Sequence, residues 1–153
     1  MNSADPSMLA DVVRAIAERM RLPCEVEIIP ADSGDALTVS IQAPNDANLL
    51  IGKNGQNLKA LEHVLRAIWI RHNPATRSLV VDINDYRKQR TEQVASLAHE
   101  IARRVRDTRR SEALDPMTAY ERRVVHTELA TYSDLATESI GQDPQRRVIV
   151  KPL

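Results

Sequence analysis

The chain shows two hydrophobic periodicities, one typical of helices and one typical of strands. Apolar positions three or four residues apart predict helices at residues 7–21, 56–72, 86–110 and 117–130, with a short helix start at 44–52. Alternating apolar and polar positions predict strands at residues 24–30, 36–43, 77–84, 134–139 and 146–152. The first half therefore reads as helix, strand, strand, helix, helix, strand.

Turn and cap residues set the expected boundaries of these elements. The segment ADSGD at 31–35 predicts the turn of a hairpin, and GQDP at 141–144 predicts a second turn. Asn45 or Asp46 is the expected N-cap of the short helix. Pro116 is expected in the first turn of the last helix, where a proline is well tolerated.

Composition narrows the class of protein. Aromatic residues make up 3% of the 153 residues and Phe is absent, so the cores must consist of Leu, Ile, Val and Ala. The single cysteine, Cys24, can form neither an internal disulfide nor a zinc cluster, which favours a cytoplasmic protein. We expect no signal peptide, since acids stand in the first turns, and no membrane span. The net charge of zero argues against a protein that coats nucleic acid by bulk electrostatics, but allows a local basic groove.

Half of the glycines of the chain fall in one tetrapeptide between two predicted helices. The chain has four glycines, and Gly52 and Gly55 flank Lys53 and Asn54. Glycine permits a tight turn and close approach of another backbone. The N–H groups at the start of the following helix, together with Lys53, suit an anion. The pattern suits a cradle for the phosphate backbone of an extended strand. A G-x-x-G sequence taken by itself, however, more often marks a plain helical corner with glycine for geometry, so both interpretations stay open at this point.

The surroundings of this tetrapeptide resemble a known family. I-G-K-x-G-x-x-L-x-x-L between a hairpin and a final strand is similar to the KH domain, whose G-x-x-G loop clamps about four nucleotides of single-stranded RNA. The order α-β-β-α-α-β resembles the type II KH domain of bacteria. The resemblance covers about residues 7–84.

The second half carries its own motif in ERRVVH, where Arg122 and His126 lie four residues apart on one helix face. With TES, then GQDP and QRRVIVKP, this segment resembles the R-x-x-x-H domain, a small binder of single-stranded nucleic acid. A KH domain followed directly by this domain, with YRKQR at the junction, is similar to the Jag/KhpB family of bacterial RNA-binding proteins. Two departures from the family pattern are expected: the protein should lack the amino-terminal domain of many Jag proteins, and Ile140 stands where an acidic residue is expected.

The resemblance implies an α+β chain of two small domains, a KH domain at 7–84 and an R-x-x-x-H domain at 85–153, joined through a long helix. It implies RNA contacts from Gly52, Lys53, Asn54 and Gly55 and from Arg122 and His126. It also implies a small partner KH protein and a role in cell shape, elongation and division. Trp69 lies on an apolar helix face and is predicted to be core, so base stacking should be sparse and the grip mainly on the backbone.

Other classes of function remain to be weighed. The four histidines lack metal-ligand spacing with acids, and neither a nucleotide-binding loop nor a catalytic neighbour of Cys24 is visible. The sequence therefore predicts no enzyme, no metal and no cofactor. Two alternatives stay open: a protein-interaction module that docks through the KH surface, and a binder of single-stranded DNA.

Overall fold

The computed structural model describes residues 5–30, 36–74 and 78–153. The chain is an α+β protein whose internal contacts divide it into two compact units, residues 1–87 and 88–153. The predicted turn at 31–35 lies outside the described residues, as does residue 77 of the predicted third strand. None of the helices in the described ranges combines the length and the apolarity that crossing a membrane requires.

The first unit packs helices on one face of a three-stranded sheet. Its elements are α1 (Ser7–Arg19), β1 (Glu25–Pro30), β2 (Ala36–Gln42), α2 (Ala47–Ile51), a single 3₁₀ turn (Lys53–Gly55), α3 (Gln56–His72) and β3 (Ser78–Ile83). The strand order is β1-β2-β3, with β1 antiparallel and β3 parallel to β2. The chain thus runs helix, strand, strand, helix, helix, strand; its assignment as a KH domain stays a prediction.

The alternation seen in the sequence decides which face of this sheet is buried. Val39 and Val81 are fully buried and pair across β2 and β3, while their neighbours along each strand are only half-buried. Leu65 and Trp69 of α3 belong to the same buried cluster. Trp69 is 4% exposed, which confirms its predicted place in the core.

Polar side chains cover the outer edge of β3. A carboxylate oxygen of Glu62 in α3 accepts a hydrogen bond from the Val81 amide at 3.0 Å, and Arg66 donates to the Leu79 carbonyl at 2.9 Å. Arg87 donates to the Val81 carbonyl at 3.1 Å. Strand edges left unpaired invite association with other chains, so these bonds protect the edge and fix α3 against the sheet.

The second unit also packs two helices against a three-stranded sheet. Its elements are α4 (Tyr86–Thr108, which begins in the first unit), β4 (Glu112–Ala113), α5 (Ala119–Leu129), β5 (Leu135–Ile140) and β6 (Arg147–Pro152). The strand order is β4-β6-β5, with both pairs antiparallel. Its core joins Ala98 and Val105 of α4 to Val125 of α5 and to Val148 and Val150 of β6.

Three details of the sequence prediction are corrected by the structure. The short strand β4 lies in the segment SEALDPM, which was expected to be only a break. Pro116 precedes the last helix, because α5 begins at Ala119 behind a Thr118 N-cap. Asp46 does hold the N-cap position of α2, but its side chain makes no capping hydrogen bond.

Candidate functional site

The loop between α2 and α3 has three residues in left-handed backbone conformation. Gly52 has φ of 73°, Asn54 of 52° and Gly55 of 77°. Glycine adopts such values without steric cost, and asparagine does so more readily than most other residues. The loop turns sharply at the point where the sequence pattern predicted the break.

The neighbours of the two glycines, together with their left-handed backbone, show why both positions favour glycine. A Cβ added to Gly52 would lie 2.6 Å from the side chain of Asn57, whose Nδ2 donates to the Leu49 carbonyl at 2.8 Å. A Cβ on Gly55 would lie 3.0 Å from the ring of Tyr86. The backbone conformation and packing of the first unit therefore favour glycine at both positions whether or not a ligand binds.

Lys53 and Asn54 form the exposed tip of this loop. Among the described residues neither side chain has a hydrogen-bond or ion-pair partner. The first turn of α3 behind them contains no acidic residue, and no side chain caps it. An uncapped start of a 17-residue helix beside an exposed ammonium group favours an anion at this corner.

The structure places Arg122 in the interior of the second unit. Its side chain is 7% exposed, and its Nη1 donates to the Met117 carbonyl at 2.7 Å and to Asp143 Oδ1 at 3.0 Å. The guanidinium thus ties the segment before α5 to the turn between β5 and β6. Hydrogen bonds from its Nε and Nη2 are not seen within the described part of the chain.

His126 lies one turn further along α5 and is half-buried against β5. Its Nδ1 lies 2.7 Å from Thr137 Oγ1 and its Nε2 lies 3.0 Å from Ser139 Oγ. Arg122 and His126 do share a helix face, but both use part of their hydrogen-bonding capacity within the fold. Any contact with a ligand would be made by their outer edges.

A buried ion pair, which the sequence pattern did not reveal, holds the start of α5. Glu121 is 5% exposed, and one of its oxygens accepts from Arg90 Nε at 2.6 Å while the other accepts from the Thr118 amide at 2.7 Å. The Glu121 amide in turn donates to Thr118 Oγ1 at 3.3 Å, which completes a capping box. The spacing T-x-x-E is a known signal for a helix start and could have located this cap.

The charge state of Glu121 reflects these contacts. Burial raises the pKa of its carboxyl, but the hydrogen bonds from Arg90 and from Thr118 outweigh that effect. The pKa therefore lies below its ordinary value of 4.5, and the carboxylate is charged at neutral pH.

Known proteins similar to this chain identify its second unit. Residues 92–152 match the R-x-x-x-H domain. The RNA-binding protein KhpB of Lactiplantibacillus plantarum is 31% identical over 142 residues, which cover 93% of this chain and 43% of that protein. KhpB of Clostridium symbiosum is 29% identical over 140 residues, covering 92% and 63%. KhpB of Bacillus subtilis is 35% identical over 106 residues, covering 68% and 51%.

The chain thus spans about half the length of the curated relatives it matches. The matched R-x-x-x-H segment begins within α4 and includes α5 and both long strands of the second sheet. The predicted resemblance to the Jag/KhpB proteins is therefore confirmed: the chain is a relative of these proteins, and its residues 92–152 form an R-x-x-x-H domain.

Proposed function

We propose that this protein is a non-catalytic binder of single-stranded RNA, which it grips by the backbone through the G-x-x-G loop of a KH domain at residues 7–84. The observation that carries the proposal is the loop itself: a sharp turn with an exposed lysine and asparagine, placed on the uncapped start of α3. Relatives bearing the name RNA-binding protein support it. From the family resemblance drawn in the sequence analysis, we further propose a cytoplasmic post-transcriptional regulator that is linked to cell elongation and division and has a small KH protein as a partner.

Three groups at the loop can hold phosphate without any movement of the fold. The helix start offers partial positive charge, and Lys53 offers a full charge on a flexible stem. Asn54 adds amide donors beside it. All three act on the sugar-phosphate backbone, which is common to every sequence, so the grip is expected to be weakly selective for bases.

We propose that Arg122 and His126, in an R-x-x-x-H domain at residues 85–153, contribute a further contact. The Nε and Nη2 edge of Arg122 can donate to a phosphate oxygen, and the imidazole of His126 lies one turn away on the same face. Asp143, which is 65% exposed, lies beside Arg122 and competes with phosphate for the guanidinium. This contact should therefore be weaker than that of the loop.

Replacing both Arg122 and His126 by Ala tests this second contact. We expect the double variant to lose far more affinity for a long single-stranded RNA than for a short one that fills only the KH loop, because linked sites raise the local concentration of the strand. Fluorescence anisotropy on both lengths measures the difference. Since Arg122 also supports the fold, the variant should lose about 2 kcal/mol of stability, and binding must be measured well below its melting temperature.

Arg123→Ala is the matched control, since Arg123 is exposed on the same helix and its replacement removes the same charge. If the double variant lost affinity equally for long and short RNA, or for neither, Arg122 and His126 would serve the fold alone. Of the two motifs, only the G-x-x-G loop would then contact RNA.

Salt dependence gives an independent measure of the grip. We expect the logarithm of the affinity to fall with the logarithm of the salt concentration with a slope of roughly −2 to −4, equivalent to about three to six phosphate contacts on a single strand. A titration by anisotropy measures the slope. No salt dependence would contradict the proposal, and an equal result with DNA of the same sequence would make the protein a general single-strand binder.

One observation favours the alternative of a protein-docking surface. The uncovered face of the first sheet is acidic, since the register places Glu27, Ser40 and Asp82 side by side across its three strands. Such a face repels phosphate and suits a basic protein surface. If RNA affinity proved absent, this sheet face would be the first candidate for the binding site of a protein.

A further inference from the structure

One face of α4 carries a row of basic side chains beside an aromatic ring. His99, Arg103 and Arg106 follow one another at spacings of four and three residues, which places them on one side of the helix. Tyr132, just beyond the end of α5, lies against this row. Together the four residues and Glu100 line a shallow groove on the second unit.

Arg106 and Tyr132 form a fixed platform within this groove. Arg106 Cζ lies 5.6 Å from the centroid of the Tyr132 ring, and its Nε donates to Asp134 Oδ2 at 2.7 Å. The Tyr132 hydroxyl lies 3.1 Å from His99 Nδ1, whose other nitrogen lies 3.0 Å from Glu128 Oε2. Both the guanidinium plane and the ring are therefore oriented before any ligand arrives.

Uncommitted positive charge lies on either side of the platform. Arg103 lines the groove with Arg106, and Arg109 lines the adjoining depression with Asp134. Both arginines are exposed, and neither makes an ion pair among the described residues. Of the nearby acids, Glu100 is paired with Arg104 and Asp134 with Arg106, whereas Asp107 has no such partner in the described ranges. The guanidiniums of Arg103 and Arg109 are thus left without a carboxylate contact in the described ranges.

We propose that His99, Arg103, Arg106, Arg109 and Tyr132, here called the α4 basic groove, form a contact site for a single-stranded RNA, a role that rests on the function proposed above. Arg103 and Arg109 hold successive phosphates. A base stacks on the Arg106 guanidinium, which the Tyr132 ring supports from below. Guanidinium planes and aromatic rings accept bases of any sequence, so this groove strengthens binding without selecting a sequence.

The phosphate contacts and the base stacking proposed for the α4 basic groove can be tested independently. Arg103→Gln with Arg109→Gln removes two phosphate contacts, so the salt slope should become shallower by about 1.4, from two contacts at about 0.7 each. Tyr132→Leu removes the support of the stack and should weaken binding about fivefold or more, whereas Tyr132→Phe keeps the ring and should bind nearly as the wild type does. The probe is a fluorescein-labelled single-stranded RNA of about 20 nucleotides.

The matched control is Arg104→Gln with Arg123→Gln, which removes the same charge from the same unit. Arg104 is exposed and is held by Glu100 and Glu112, and its own side chain does not line the groove. A loss of affinity and slope equal to that of the Arg103/Arg109 pair would mean that only net charge matters, and would overturn the site. Tyr132→Leu binding as tightly as Tyr132→Phe would overturn the stacking step. A wild-type protein without affinity for RNA would defeat the proposed function itself, whereas wild-type affinity untouched by these variants would defeat only the groove.

Discussion

Replacing Lys53 and Asn54 by Asp is expected to weaken RNA binding about a hundredfold while leaving the first unit folded. The change turns one positive and one neutral side chain into two carboxylates at the point where phosphate is proposed to lie. A lost charged hydrogen bond costs about 1.5–3 kcal/mol, and tenfold in affinity corresponds to about 1.4 kcal/mol, so one lost ammonium contact with added repulsion accounts for the expected factor.

The geometry of the loop explains why the fold should survive this change. Both side chains are exposed, and neither has a partner in the described part of the chain. Asn54 has a φ of 52°, a conformation that aspartate tolerates almost as well as asparagine. Gly52 and Gly55, which the backbone conformation and the packing against Asn57 and Tyr86 favour, are left in place. Two acids near the start of α3 also suit the dipole of that helix.

A control variant must change the charge of the same unit equally at a position away from the loop. Arg71→Asp with His72→Asp makes the same change of −3, with His counted as neutral, in the exposed last turn of α3. Anisotropy should show little loss of affinity for this variant, and melting followed by circular dichroism should show both variants folded. Unchanged RNA binding by a folded Lys53/Asn54 variant would leave the loop as a plain helical corner.

Hydrophobic periodicity was a good guide to the elements because burial depends on it directly. The predicted helix at 56–72 is observed at Gln56–His72, and the alternation at 36–43 becomes β2, whose Leu37, Val39 and Ile41 face the core. Both signals are local, since each side chain faces the core or solvent according to its position in one element. The break between the two helices at Gly52 and Gly55 could be predicted for the same reason, because glycine acts on the backbone at its own position.

The burial of Arg122 could not be foreseen from its spacing to His126. An arginine four residues from a histidine shares its helix face, but the sequence does not say whether that face meets solvent or a neighbouring turn. Here Asp143, 21 residues away, and the Met117 carbonyl occupy the guanidinium. A partner that distant along the chain leaves no periodic signal, and the same is true of Arg90 and Glu121, which are 31 residues apart.

Removal of Arg90 should strongly destabilise the second unit. Arg90→Ala leaves the Glu121 carboxylate buried without its cation, a situation that costs about 3–5 kcal/mol in other proteins. We expect about 3 kcal/mol, the lower end, because the Thr118 amide still donates to Glu121 and the Arg90 side chain is 27% exposed. Urea unfolding measures the loss, and hydrogen exchange of residues 117–130 locates it.

Arg104→Ala is the matched control for this loss. It removes the same side chain from the same helix, but its ion pairs with Glu100 and Glu112 lie at the surface, where solvent screens them and such pairs contribute little to stability. Equal losses from Arg90→Ala and Arg104→Ala would show that burial of Glu121 adds nothing to the strength of its ion pair.

The pH dependence of stability offers a second test of the same contact. The pKa of Glu121 is lowered in the folded state, so its contribution is fully present above the ordinary value of 4.5 and is lost as the pH falls through the folded value. Glu121→Gln keeps an acceptor for the Thr118 amide but cannot titrate, and its stability should therefore fall less steeply below about pH 4.5 than that of the wild type.

Arg90→Ala tests the same ion pair from the side of the cation. In this variant no cation offsets the effect of burial on the Glu121 carboxyl, so the pKa of Glu121 should rise and its carboxylate should destabilise the fold at neutral pH. The stability of that variant should then recover part of its deficit on acidification, and a deficit that stayed constant from pH 7 to pH 4 would contradict the assigned role of the ion pair.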